Sequence, residues 1–203
     1  VNEGMRIETH NDKIKAARKT ALDLLVSNHY ADCVGPCKEA CPAGVDVQGY
    51  ISLIEKGMYH EAVALKKDTN PLPAICGRVC VRPCEVACRR NLLDEEHAVG
   101  IDYLKRFASD IDLESPEKWK PEVKPATGKK VAVIGAGPAG LSCGFFLQKE
   151  GHQVDIFEAS PKAGGWLRYG IPEYRLPNDI LQKEVDNITE KNEKIKYKKK
   201  FGD

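Results

Sequence analysis

Apolar residues recur at helical spacing early in the chain. Ile14, Ala17, Ala21, Leu24, Leu25 and Val26 fall on one broad face. With Asn11 or Asp12 as its cap, the pattern predicts a helix to about Ser27, with a solvated basic face. A second pattern predicts a helix over 46–57, with Val47, Tyr50, Ile51 and Ile54 inward and Gly57 as the stop. Another helix is expected over 58–67, and Asn70-Pro71-Leu72-Pro73 then turns the chain. Short helix and turn are expected from Cys80 to Arg90, with Pro83 in a first helical turn, and a helix over 97–109. Residues 114–129 hold three prolines and few apolar groups, which reads as a linker. Beyond it, 130–134 reads as a buried strand, 138–149 as a helix and 153–158 as a second strand. A helix follows over 178–190, with Leu181, Val185 and Ile188 on one face. Ile195–Lys199 reads as a solvated edge strand. The expected organisation is an α-helical domain over 1–114, a linker over 115–129, and part of an α/β Rossmann-like domain over 130–203.

Composition narrows the class. The net charge of +1 gives no reason to expect nucleic acid or a charged membrane surface as partner. No apolar run approaches the roughly 20 residues of a membrane helix, and no signal peptide opens the chain. The chain starts at Val1 and is expected to be a piece of something longer. Its eight cysteines suit metal or redox chemistry in a reducing, cytoplasmic setting better than a disulfide framework.

Seven of those cysteines lie in two runs, Cys33/Cys37/Cys41 and Cys76/Cys80/Cys84/Cys88, spaced by four throughout. The first run ends in Cys41-Pro42, a familiar ending in iron–sulfur sequences. Gly35-Pro36 predicts a loop around Cys33 and Cys37, while Cys37 and Cys41 could share one helical turn. Thiolates suit both iron–sulfur iron and zinc, and this spacing does not exclude zinc. Two [4Fe–4S] clusters would need a ligand beyond the seven cysteines. His29, four residues before Cys33, is the best candidate, although it also fits a helix-end histidine packed nearby. Cys143, inside the 138–149 helix, is expected in the core.

The second chemical motif is Gly135-Ala136-Gly137-Pro138-Ala139-Gly140, which follows a predicted strand and opens a predicted helix. Gly135 permits the tight turn, Gly137 the approach of a pyrophosphate, and Gly140 close helix–strand packing. Glu158, ending the second strand, is placed to accept hydrogen bonds from a ribose 2′-hydroxyl and disfavours a 2′-phosphate.

The segments Cys-Pro-Ala-Gly-Val-Asp-Val-Gln-Gly-Tyr-Ile, Asn-Pro-Leu-Pro-Ala-Ile-Cys-Gly-Arg-Val-Cys and Gly-Ala-Gly-Pro-Ala-Gly together resemble one family. It is the NADPH-dependent glutamate synthase small-subunit family, shared with the N-terminal half of dihydropyrimidine dehydrogenase. The resemblance covers roughly residues 30–203. It implies a helical domain holding two [4Fe–4S] clusters, then FAD and NAD(P)H domains, with the NAD(P)H part absent from this stretch. It assigns Cys33, Cys37 and Cys88 to one cluster and Cys41, Cys80 and Cys84 to the other. Tyr30 stands where the family's first cysteine would be, which strengthens His29. Lys105 stands near a position often held by a Gln or Glu ligand, leaving Cys76 as either ligand or buried bystander. Gly164, Gly165 and Arg168 look like a second FAD contact, with Arg168 meeting phosphate; Arg168 and Arg175 equally suit surface structure. Residues 1–29 resemble the end of a complex I-type [2Fe–2S] domain.

The implied function is the cluster-plus-FAD portion of an NAD(P)H-dependent flavin iron–sulfur oxidoreductase. A redox subunit or neighbouring redox domain would be its partner, and oligomers are compatible with it. The chain alone is expected to bind FAD weakly and to be inactive, and no catalytic acid, base or nucleophile stands out. The competing readings are a non-catalytic electron-transfer or docking subunit and a zinc-stabilised interaction module.

Overall fold

The computed structural model describes residues 3–29, 33–93, 97–189, 193–200 and 202. Packing divides the chain into two compact units, Val1–Cys33 and Val34–Asp203.

The first unit is built on α1, Asp12–Ser27. The Asn11 side chain caps it by accepting from the Ile14 amide at 2.9 Å. Its apolar face is present as the periodicity predicts, yet no residue of α1 is buried, and Leu24 and Leu25 are each 68% exposed. A lone helix has no second layer within its own unit against which to bury a face.

The second unit begins with short helices. α2 is Pro36–Glu39, α3 Val47–Glu55, α4 Tyr59–Lys67 and α5 Pro73–Val79. α6, Pro83–Val86, leads into a 3₁₀ turn at Arg89–Leu92 and then α7, Ile101–Glu114. Asp46 caps α3 through the Gly49 amide. The segment turning towards Cys76 is itself helical, because Pro73 suits a first helical position. α7 runs past the expected end at 109. Asp112 in its last turn is buried and accepts from the Trp119 amide at 2.9 Å, which draws the following chain back onto the helix.

β1 (Lys130–Ile134), β2 (Gln153–Glu158) and β3 (Glu193–Tyr197) form a parallel sheet in that order. Parallel strands need crossovers. These are α8 (Pro138–Lys149) between β1 and β2, and α9 (Trp166–Tyr169) with α10 (Asn178–Thr189) between β2 and β3. β1 is not the buried strand its composition suggests: only Val133 is buried and Ile134 is 56% exposed. Among the described residues it pairs only with β2, so just its core-facing position is covered. The expected end of α10 at Glu190 lies outside the described residues. Cys143 is exposed, because the inward stripe of α8 runs through Leu141, Gly144, Phe145 and Gln148.

Two cores organise this unit. One gathers Val45, Val47, Tyr50, Ala62, Cys84, Ile101 and Ala108, with Cys37 and Cys41 packed against it. The other is shared: Leu72 and Ile75 from the cysteine-bearing segment join Leu141, Phe145, Ile156, Leu181, Val185 and Ile188. A buried ionic tie reinforces that junction. Glu184 on α10 accepts from Lys67 Nζ at 3.0 Å and from the Ala74 amide at 2.8 Å, all out of contact with water. Among the described residues, no helix is long and apolar enough to cross a membrane.

Candidate metal centre and dinucleotide site

Local sequence sets Cys37, Cys41, Cys84 and Cys88 on short, proline-started turns. Pro36 opens α2 with Cys37 behind it, and Pro83 opens α6 with Cys84 behind it. Cys41 and Cys88 follow just past each helix, where their amides close turns onto Lys38 and Glu85 carbonyls. The two segments are an internal repeat, Pro36-Cys-Lys-Glu-Ala-Cys41 and Pro83-Cys-Glu-Val-Ala-Cys88. α2 and α6 pack on each other, and the repeats exchange partners. Cys41 of the first joins Cys84 of the second in one cavity, and Cys37 joins Cys88 in another.

The first cavity has a volume of about 200 Å³ and is lined by Cys41, Cys76, Cys80 and Cys84, with Tyr50, Asn70 and Lys105. Cys76 enters on α5. That helix lies so close to α7 that a Cβ on Gly77 would stand 2.8 Å from the Arg106 Cα. Arg78 locks the pair with two bonds to the Asp110 carboxylate, at 2.8 and 2.9 Å. Arg82 adopts the left-handed conformation (φ +60°), which aims its amide at Cys80 Sγ, 3.3 Å away. Its side chain is held by Asp102 and by the face of Tyr103. Hydrogen bonds to sulfur are one of the levers on cluster potential. Burial pushes the Cys84 thiol up to about 11 and the Cys76 thiol upward too, against the pull of its hydrogen bond to Asn70.

Burial would lower the Lys105 ammonium, but Asp102, 2.6 Å away, more than compensates and holds it above the usual lysine value. Lys105 therefore faces the cavity as a cation. Tyr50 donates to the Ile101 carbonyl at 2.9 Å, and burial raises its phenol well above the usual range, so it stays neutral.

The second cavity is larger, about 640 Å³. Cys37 and Cys88 share its wall with Val47, Gln48, Ile51, Leu93 and Val99. In the N-terminal unit, His29 Nδ1 lies 3.6 Å from Cys33 Sγ, and both residues are exposed. Tyr30 lies outside the described residues. Among those described, no three His, Cys, Asp or Glu side chains converge closely enough to hold a single metal ion. The four thiols of the smaller cavity surround a space instead, and in number and softness they fit the donor set of a [4Fe–4S] cluster.

The dinucleotide motif sits where β1 meets α8. A Cβ on Gly140 would fall 1.9 Å from the Gly135 carbonyl oxygen, so only glycine lets this helix begin so close to the strand. The second glycine pair folds onto the first: the Gly164 amide donates to the Ala136 carbonyl at 2.8 Å, and a Cβ on Gly165 would meet the Gly137 Cα at 2.9 Å. Pro138 and Ala139 open α8, and no side chain caps it, which leaves first-turn amides for an anion.

Glu158 is buried at the end of β2. Burial raises its carboxyl, but donors at Ser160 and Ala136, each 2.7 Å away, outweigh this and hold it below the usual range. Glu158 thus clamps the glycine loop with its own carboxylate. Arg168 is tied within the protein, donating to the Ala163 carbonyl, Asn178 and Gln182. The structure brings the two glycine loops and Glu158 together, and spends the Arg168 guanidinium on holding α9 against α10. Arg175 is exposed.

Known proteins align with both halves. The family model described as dihydropyrimidine dehydrogenase domain II, 4Fe–4S cluster, matches residues 12–117, and an NAD(P)-binding Rossmann-like domain matches residues 133–189. The NADPH-Fe(3+) oxidoreductase subunit beta of Geobacter sulfurreducens is 41% identical over 169 residues, covering 82% of this chain and 25% of that protein. The NADP(+)-dependent formate dehydrogenase subunit beta of Moorella thermoacetica is 43% identical over 174 residues, covering 75% and 24%. The NAD-dependent dihydropyrimidine dehydrogenase subunit PreT of Salmonella typhimurium is 38% identical over 170 residues, covering 82% and 40%. The chain spans about a quarter of the length of the first two. A solved histamine dehydrogenase from Rhizobium sp. 4-9 aligns with 90% of this chain and 23% of its own, at 20% identity and a TM-score of 0.33. Helices that gather cysteines, followed by a glycine-looped parallel sheet, are what the two matched models describe in turn. With the first spanning just over half its length, the chain belongs to the dihydropyrimidine dehydrogenase domain II, 4Fe–4S cluster family, joined here to an NAD(P)-binding Rossmann-like domain.

Proposed function

We propose that this chain is the cluster-plus-flavin portion of an NAD(P)H-dependent iron–sulfur flavin oxidoreductase. The helical part up to residue 114 holds two [4Fe–4S] clusters, and the part from residue 130 holds FAD. The observation that carries this reading is the set of four cysteines around one cavity, in the same compact unit as a dinucleotide loop. Cys41, Cys76, Cys80 and Cys84 ligate one cluster. That completes its donor set without the Lys105 position, and the place of Cys76 in the cavity wall supports it as a ligand rather than a bystander. Cys37 and Cys88 ligate the other, and Cys33 and His29 stay candidate ligands on their spacing in the sequence.

Gly135, Gly137, Gly140, Gly164 and Gly165 let the FAD pyrophosphate approach the backbone, and the α8 amides bind it. Glu158 keeps the loop in shape and offers its remaining lone pairs to the ribose. When bound, FAD supplies the conversion between hydride pairs and the single electrons that clusters carry. The protein works in the cytoplasm with a further redox subunit or domain. This stretch by itself does not reduce a dye with NADPH.

The test is anaerobic purification with iron, sulfide, zinc and flavin counted on one sample. About eight irons and about eight sulfides per chain, with flavin, are expected for two [4Fe–4S] clusters. Zinc without sulfide in a sample never exposed to air would overturn the reading in favour of a metal-stapled interaction module.

A further inference from the structure

Behind the smaller cysteine cavity lies a buried amine whose counter-charge is missing. Lys66, on α4, has no exposed surface. Its Nζ donates to the Lys105 carbonyl and to Ser109 Oγ, each at 3.0 Å, and stands 5.3 Å from the centroid of the Tyr50 ring. Tyr50 and Lys105 both line the cavity, so only one layer of side chains separates the amine from the cysteines.

The neighbouring carboxylates already have partners. Lys67, beside it on α4, pairs with Glu184 of α10. Lys105 of α7 pairs with Asp102, and Arg78 of α5 with Asp110. Asp112 of α7 bonds to His60 and to the Trp119 amide. From α3 the facing group is the neutral Tyr50 phenol, and from α5 it is Cys76 at the cavity wall. Among the described residues no carboxylate forms an ion pair with Lys66. Its two acceptors are neutral oxygens, which serve an amine and an ammonium alike.

A buried ammonium with no counter-ion is costly. Burial, opposed by Glu184 and Asp112 and reinforced by Lys105 and Lys67, brings the Lys66 ammonium down to about 7. The charge that would balance it is an electron on the other side of Tyr50.

We infer that Lys66 is a proton-binding site coupled to reduction at the Cys41/Cys76/Cys80/Cys84 cavity. One proton from solvent is taken up at Lys66 Nζ as one electron, delivered by reduced flavin or another one-electron donor, enters the centre there. Reoxidation releases the same proton. The inference rests on the reading of that cavity as an iron–sulfur site.

The test is a spectroelectrochemical titration of the iron–sulfur-loaded protein between about pH 6 and about pH 9, following the signal that Cys80→Ala removes. In the wild type, the potential is expected to be level on the acid side of neutrality and to fall above it. The limiting slope is about 59 mV per pH unit, the value for one proton per electron. Lys66→Met should give a level potential at the alkaline limit of the wild type. Lys66→Arg, whose guanidinium stays charged, should give a level potential at the acid limit. This second variant keeps the test decisive if Lys66→Met fails to load. A wild-type potential independent of pH, or a slope that survives in either variant, would overturn the inference while leaving the cluster reading intact. Absence of any cluster signal removed by Cys80→Ala would overturn both.

Discussion

The two cysteine-lined cavities are built from the same repeated hexapeptide and end up unlike each other. The smaller takes Cys41 and Cys84 from the repeats and adds Cys76 and Cys80, so four thiols face it from within one compact unit. The larger takes Cys37 and Cys88, and its remaining wall is mostly apolar side chain and arginine. The other candidate donors, His29 and Cys33, belong to the N-terminal unit. Burial differs as well: Cys84 is part of a hydrophobic core, whereas His29 and Cys33 are exposed. A donor set completed inside a core is held by packing and flanked by a buried cation, here Lys105. That arrangement suits a centre tuned by buried groups.

Substitutions can break this contrast. Cys76→Ala should have the largest effect, cutting iron from about eight to about four per chain, counted with sulfide after anaerobic purification. Unchanged iron would return Cys76 to bystander status. His29→Cys should leave iron content unchanged and lower the potential of one centre only, since imidazole raises cluster potential relative to thiolate. Equal shifts in both centres would remove the distinction between the cavities.

Glu184→Ala strips Lys67 and the Ala74 amide of their buried acceptor. It should cost about 3–5 kcal/mol of stability in urea unfolding, because one buried charge is left unpaired. Gly165→Ala should weaken flavin binding about tenfold, given the left-handed backbone at that residue, with iron unaltered. Loss of iron in that variant would show that the two sites are not separable.

The smallest effect concerns Glu158. Its carboxyl is depressed in the folded state, so the unfolded chain binds more protons as pH falls. The stability it contributes is complete above the ordinary glutamate value of about 4.3 and is lost as pH drops through the folded value. Glu158→Gln should flatten that part of an acid unfolding curve.

Much of this was legible because it rests on local rules. The glycine loop could be read from Gly135 to Gly140, since each glycine answers a short-range steric demand. The helix α3 followed from apolar period, α8 from the glycine loop that opens it, and α6 from Pro83. The burial of β1 and of Cys143 was misjudged, because which face of an element is covered depends on its neighbours. Arg168 resembled a phosphate ligand in sequence and proved to be a tie between α9 and α10.

By itself the sequence determined the chemistry on offer: seven thiols in two spaced runs, a dinucleotide loop on a strand–helix turn, and the proline-started turns that present them. Only the tertiary structure decided which thiols share a cavity, because the exchange between repeats comes from α2 packing on α6. It also decided the fate of the charges. Lys66 and Lys67 look like any surface pair in a helix ending Leu-Lys-Lys, and nothing local separates them. Packing of α4 against α3 and α7, and of α5 against α10, removes water from both. One of them receives Glu184 as a partner from far along the chain, and the other, among the described residues, receives only neutral oxygens. Desolvation is a property of the assembled surroundings, and no spacing rule along the chain carries it.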